Sequence, residues 1–183
     1  MMPDTTHHIE LIGFFISPGH NFFGHHEKPP GRNPVVEVDQ IECIAGMGIS
    51  GDRFFDYKEN YKGQITFFAF EVYERMCTEL VVNNVCPSAM RRNVITRGID
   101  LNGLIGEEFE IQGVLFEGVQ ECRPCYWMNR AVAAGAEEFL RGNGGLRARI
   151  LSDGLLKRGD AKLTVIEGGI RQSGRAECGK NEQ

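Results

Sequence analysis

The chain is a succession of short apolar runs broken by glycine, and only two of its stretches carry the periodicity of an α-helix. Runs of strand length, separated by turn residues, confine the fold to a mainly β arrangement. Ile9 to Ile16 and Val35 to Ile44 are rich in β-branched and aromatic residues and each reads as a strand; in the second, Val36, Val38 and Gln40 alternate with Val35, Glu37 and Asp39. Phe109 to Gly118 has the look of a hairpin. Leu146, Ala148 and Ile150 alternate with Arg147 and Arg149 in another strand, Asp153-Gly154 turns the chain into Leu155-Leu156, and Leu163 and Val165 belong to a last strand. Glycines such as Gly46, Gly48, Gly51, Gly98, Gly106, Gly113 and Gly118 mark turns or bulges. None has the spacing of a nucleotide-binding loop.

From Phe70 to Val81, Phe70, Tyr73, Cys77 and Leu80 fall on one helical face, with Glu71, Glu74, Arg75 and Glu79 mostly elsewhere. Cys77 is therefore expected in the core. A second helix is expected from about Ala131 to Arg141, with Val132, Ala136, Phe139 and Leu140 on one face and Gly142-Asn143-Gly144-Gly145 ending it. The expected architecture is one antiparallel or mixed β-barrel with two peripheral helices. At 183 residues the chain can bury a single core but is short for two. One domain is expected over 1–168, followed by a polar tail, 169–183, with too few packing residues to order.

The formal net charge is −5, which offers no general attraction to nucleic acid or to an anionic membrane. An anionic ligand therefore requires positive charge concentrated in one place. The N-terminus lacks the basic and apolar regions of a secretory signal, and no run reaches the length of a membrane span. A cytoplasmic location is the expectation, and there six irregularly spaced cysteines stay as thiols.

Only two of those cysteines are grouped, in Glu121-Cys122-Arg123-Pro124-Cys125-Tyr126-Trp127-Met128-Asn129. A thiol becomes a nucleophile or soft-metal ligand as its thiolate, which a nearby cation or helix N-terminus favours. Arg123 stands between the two thiols, and Pro124 suits the first turn of a helix running through Tyr126, Trp127 and Met128, with Cys125 inside that turn. Three other readings are open for the pair alone. Two buried thiols can simply pack as small hydrophobes. A CxxC is half of a zinc site, although Cys43, Cys77, Cys86 and Cys178 are scattered singly and offer no second half. A redox dithiol expects a strand-to-helix turn in a βαβ unit, whereas a hairpin precedes this one.

The ordered series Gly51-Asp52-Arg53, Gln64-Ile65-Thr66, Arg92-Asn93-Val94-Ile95-Thr96, Gly98-Ile99-Asp100-Leu101, Leu104-Ile105-Gly106, Cys122-Arg123-Pro124-Cys125 and Gly145-Leu146-Arg147-Ala148-Arg149-Ile150-Leu151 resembles the MOSC family, named after the C-terminal part of molybdenum cofactor sulfurase. The likeness runs from about residue 35 to about residue 167 and implies a MOSC-type β-barrel. It also implies that Cys125, the cysteine after Pro, carries sulfur as a persulfide or ligates molybdenum, and that Arg91, Arg92 and Asn93 hold the anionic pterin phosphate. A guanidinium fork suits phosphate oxygens; on its own, Arg91-Arg92 reads as a solvated charge pair at a strand entry. Asp52 and Arg53 shape the pocket, with Arg123 beside the thiols. Cys122 is an extra thiol placed to resolve a Cys125 persulfide or sulfenate. The His that often follows Gly-Asp-Arg in the family is Phe54 here, so no acid–base role carries over to that position.

These features imply a protein that handles sulfur or molybdenum cofactor, as a sulfur carrier or a molybdenum-dependent oxidoreductase, together with a sulfur donor or a molybdenum enzyme as partner. The wider family is tied to pyridoxal phosphate through the sulfurase; that cofactor is expected only through a partner. Two alternatives stand beside this one, a non-catalytic module that binds and delivers the cofactor, and zinc held by Cys122 and Cys125 across a dimer. The loop from Ser17 to Gly31 carries His20, His25 and His26 without a third ligand at zinc spacing and is expected to be exposed and mobile.

Overall fold

The computed structural model of the chain describes residues 5–22 and 29–166. The strands are β1 (Thr5–Ile16), β2 (Val36–Val38), β3 (Gln40–Ile44), β4 (Gly48–Ile49), β5 (Ile65–Ala69), β6 (Val94–Arg97), β7 (Glu108–Ile111), β8 (Val114–Glu121), β9 (Leu146–Ile150), β10 (Gly154–Lys157) and β11 (Gly159–Ile166). Three short helices accompany them, α1 (Phe70–Glu79), α2 (Trp127–Ala131) and α3 (Ala136–Phe139). The order β1-β11-β7-β8-β9-β5-β6 closes on itself through the β6–β1 pairing, a seven-stranded mixed barrel. Closure removes the sheet edges that would otherwise recruit other chains. Only β5 and β6 run parallel among the described residues, and α1 is the crossover that a parallel pair requires. Strand β2 pairs with the end of β1, while β10, β3 and β4 form a separate three-stranded sheet.

Alternation along the strands sorts side chains into two apolar clusters. Inside the barrel, Ile65, Phe67, Val94, Phe109, Phe116, Leu146, Ala148 and Ile150 form a closed core, in which Phe67, Phe109 and Phe116 have ring centroids 5.5–5.9 Å apart. Outside it, Phe15, Phe68 and Ile95 project from the same strands onto Met76, Met90, Met128, Ala136 and Leu140. Consecutive residues such as Phe67 and Phe68 thus serve opposite faces. In β1 a bulge between Leu11 and Gly13 resets the parity, so that Leu11 and Phe14 both face inward.

Two expectations change. The Val35 to Ile44 run is two strands in two different sheets, parted at Asp39. The helix expected from Ala131 to Arg141 begins earlier and is broken: α2 stops at Ala131, and α3 starts after Gly135, whose φ of +91° a right-handed helix cannot accommodate. The apolar positions on either side of that break still share the outer cluster, which is why they read as one periodic stripe. In α1, Met76 is the fully buried residue, and Tyr73, Cys77 and Leu80 pack around it in the outer cluster. The tail from 169 to 183, with Cys178, lies outside the described residues, as do His25 and His26.

Candidate functional site

The chain leaves the barrel after β8, makes the cysteine turn, passes through α2 and α3, and returns at β9. Both ends of this excursion are tied together. The Cys122 N–H donates to the Gly145 carbonyl at 2.7 Å. A Cβ at Gly144 would lie 2.0 Å from the Cys122 carbonyl oxygen, so only glycine permits this approach. Arg92 closes the clip: its Nη2 donates to the Cys122 carbonyl at 3.1 Å, its Nε to that of Gly144 at 2.9 Å and its Nη1 to that of Met90 at 2.9 Å. Behind the turn, Met128 of α2 and Ala136 of α3 seat it on the outer apolar cluster.

Arg91 points elsewhere. It ends the 3-10 turn Pro87–Met90 with a left-handed backbone, φ 58°. Its guanidinium lies 4.1 Å from the centroid of the Phe22 ring. Burial, reinforced by Arg53 and Arg92, pushes the Arg91 pKa down to about 10, with negative charge on Cys125 acting the other way. Arg91 therefore stays cationic at neutral pH.

Asp52 and Asn93 form a buried polar knot beside these arginines. The Asp52 carboxylate accepts from the N–H groups of Ser17 and Phe54, each at 3.1 Å, and from the Asn93 amide at 3.4 Å, and pairs with Arg53 at 3.4 Å. Asn93 accepts from the N–H and hydroxyl of Thr66 at 3.1 and 2.8 Å and donates to the Phe15 carbonyl at 3.2 Å. Each group is committed to joining β1, β5 and the Gly51-Asp52-Arg53 turn.

The cysteine turn faces a cleft of about 280 Å³, near the lower end of the range for small-molecule sites. Cys122, Arg123, Pro124, Cys125, Trp127 and Met128 line one wall; Arg53, Phe54, Tyr61, Gly63, Thr66, Arg91, Arg92, Arg147 and Phe22 complete it. Among the described residues that lining holds five arginines and no carboxylate, although the whole chain is net negative. Cys122 is 2% exposed and Cys125 half-buried. Helix α2 starts at Trp127, so Cys125 precedes it rather than lying in its first turn, and the Cys125 carbonyl accepts from the Met128 N–H at 2.9 Å. The described residues hold no group of three or more His, Cys, Asp or Glu able to cage a metal.

Asp52 is absent from the cleft lining and Asn93 lines an adjoining recess instead, with Ser17, Asn21, Arg53 and Arg91. Reading the sequence missed Arg147, Tyr61, Phe22 and Trp127 as lining residues. Arg147 sits opposite Thr66 in the β5–β9 ladder and has no ion-pair partner among the described residues, whereas Arg149 is paired with Glu117 at 2.7 Å. Tyr61 stacks on Phe54, centroids 5.1 Å apart, and burial keeps its phenol protonated above the ordinary range against the pull of Arg147. Phe54 also meets His20 edge-on at 4.7 Å and Tyr57 at 5.5 Å. Phe22 and Trp127, 4.8 Å apart, make a second aromatic wall.

The sequence model of the MOSC domain matches residues 49–162, which cover most of this barrel and the cysteine turn. The chain belongs to the MOSC domain family, a family associated with molybdenum cofactor sulfurases. No curated protein sequence matches it. The crystal structure of the YuaD protein from Bacillus subtilis superposes with a TM-score of 0.71 at 17% identity, covering 89% of this chain and 98% of that one. YiiM from Geobacillus stearothermophilus gives 0.62 at 14% identity, over 89% and 77% of the two chains. YiiM from Escherichia coli gives 0.57 at 16% identity, over 88% and 70%. At these identities the likeness is one of fold. No helix of the described residues is long and apolar enough to cross a membrane.

Proposed function

We propose that the cleft holds an anionic group bearing sulfur or molybdenum, with Cys125 as the thiolate that meets it, either as a persulfide carrier or as a molybdenum ligand. The observation that carries this reading is a half-buried thiol in a cleft that the described residues line with five arginines and no carboxylate. A soft sulfur donor next to concentrated positive charge suits a soft, anionic group.

The donor set fits a molybdenum cofactor in one specific way. With no cage of ligands among the described residues, the protein can supply a single thiolate to a metal that arrives on its own organic ligand. Cys125 would provide that thiolate, Arg91, Arg123 and Arg147 would hold the phosphate, and Phe22 and Trp127 would flank the ring system. Bound there, the cofactor supplies oxygen-atom or electron transfer. Arg92 holds the cysteine turn in place through three backbone carbonyls, and Asp52 orients Arg53 toward the cleft. A sulfur donor or a molybdenum enzyme is the matching partner, and pyridoxal phosphate enters only through such a partner.

A delivery module without chemistry of its own is the second reading, supported by how much of the lining is basic and aromatic rather than nucleophilic. Zinc shared between two chains needs both thiols at the surface, which the burial of Cys122 disfavours. The test is elemental analysis and intact-mass measurement on protein made in a host that synthesises molybdenum cofactor. Molybdenum present in the wild type and lost in Cys125→Ser assigns Cys125 to the metal. Molybdenum retained in Cys125→Ser favours the delivery module. A sulfur adduct on Cys125 without molybdenum favours the carrier, and neither metal nor sulfur in the wild type overturns the proposal.

A further inference from the structure

Two arginines on one strand meet different fates. Arg149 is neutralised across the ladder by Glu117, while Arg147, two residues earlier on the same face, opens into the cleft with no carboxylate partner among the described residues. Beside it the Tyr61 ring is stacked on Phe54 and folded over Gly63, where a Cβ would come within 3.4 Å of the phenol oxygen. That hydroxyl makes no hydrogen bond among the described residues, and its electrostatic neighbours include Arg147 and Cys122. A guanidinium and a phenol, both donors without an acceptor, thus share one end of the cleft with the cysteine turn. Donors so placed fit the oxygens of a sulfonate-type group.

Building on the sulfur-handling reading above, we propose that the Arg147–Tyr61 end of the cleft binds a small thiosulfonate, thiosulfate being the simplest, as the sulfur donor to Cys125. Its sulfonate oxygens take the Arg147 and Tyr61 donors, which leaves the outer sulfur directed to the thiol wall. The Cys125 thiolate attacks that outer sulfur, a new S–S bond forms on Cys125, and the sulfur–sulfur bond of thiosulfate breaks with its electron pair leaving on sulfite. Thiolate plus thiosulfate gives persulfide plus sulfite, so atoms and electrons balance without an added oxidant or reductant. The accessible Cys125 is the acceptor because Cys122 is buried.

The test incubates the purified full chain with thiosulfate and measures sulfite release together with the mass gain of one sulfur at Cys125. The expected result is equal sulfite and persulfide in the wild type and none in Cys125→Ser. Arg147→Gln and Tyr61→Phe are each expected to slow the reaction about tenfold, the order of one charge-assisted hydrogen bond, without changing the melting temperature. In parallel, alkylation of Cys125 by negatively charged iodoacetate is compared with neutral iodoacetamide. Arg147→Gln should lower the iodoacetate rate alone, a change that a purely structural role for Arg147 would not produce. If Cys125 alkylates rapidly but thiosulfate yields no sulfite, or if Arg147→Gln and Tyr61→Phe react as the wild type does, this inference fails while the reading of Cys125 as the reactive thiol survives. If Cys125 reacts with iodoacetamide no faster than the exposed Cys86, that reading fails with it.

Discussion

The barrel interior and the cleft outside it are cut from the same strands, one residue apart. Strand β9 sends Leu146, Ala148 and Ile150 into the core and Arg147 and Arg149 outward; β5 sends Phe67 inward and Thr66 to the cleft wall. The interior is filled by aliphatic side chains and phenylalanine rings, whereas the cleft holds arginines, two thiols and a phenol. The difference teaches that this barrel is a scaffold and not a container, and that the cleft opens on the one side where the chain leaves the wall between β8 and β9. A residue's strand parity, more than its place in the sequence, decides whether its loss is felt as stability or as function.

The sharpest way to break that comparison is to swap the expected effects. Phe67→Ala empties the centre of the interior ring cluster and should cost about 3–5 kcal/mol in urea unfolding, by lost burial plus residual cavity. Alkylation of Cys125 in the remaining folded protein should be unchanged. Cys125→Ser should do the reverse, abolishing sulfur or metal retention while moving stability by less than about 0.5 kcal/mol, as expected of a half-buried position whose side chain makes no hydrogen bond among the described residues. A large stability loss in Cys125→Ser would mean that the turn is part of the core.

Within the cleft, Arg91 and Arg92 repeat the contrast at smaller scale. Arg92→Ala leaves three carbonyls without their donor and should cost about 2–3 kcal/mol. It should also loosen the cysteine turn, seen as faster amide exchange at Cys122. Arg91→Ala removes a cation stacked on Phe22 and should weaken phosphate binding, read from Trp127 fluorescence, with little effect on unfolding. If Arg92→Ala leaves stability intact and abolishes phosphate binding, the two neighbours have exchanged roles.

Much of this was legible before any coordinates. Strand-length runs and turn glycines implied the barrel, and the order of Gly-Asp-Arg, Arg-Asn and Cys-Arg-Pro-Cys implied the family and brought Arg53, Arg91, Arg92, Cys122, Arg123 and Cys125 to one cleft. Composition required positive charge to be concentrated, and alternation placed Arg147 and Arg149 on one face. Alternation could not say which of the two would meet Glu117, because that depends on the register of β8 against β9. Tyr61 lies in a loop with no period to read. Likewise, the Asp52–Asn93 knot links residues 41 positions apart, so the partners it ties together could not be read from spacing. The split between α2 and α3 was hidden because both pieces keep their apolar faces on one cluster.

The smallest expected effect separates the two aromatic walls. His20 packs against Phe54 and Tyr57, and burial, helped by Arg53 and Arg91 and opposed by Asp52, lowers its pKa below the ordinary 6.5. The folded protein therefore holds this imidazole neutral to lower pH than the unfolded chain does. Above 6.5 neither state is protonated and the contribution is constant; as pH falls below 6.5 the unfolded chain takes up the proton first, and stability declines until the folded imidazole titrates too. Unfolding free energies measured from about pH 7.5 to about pH 5 should show that decline, and His20→Gln, which does not titrate, should flatten it. Phe22→Ala, on the opposite wall, should leave the slope as it is. Equal slopes in wild type and His20→Gln would detach His20 from the Phe54 cluster.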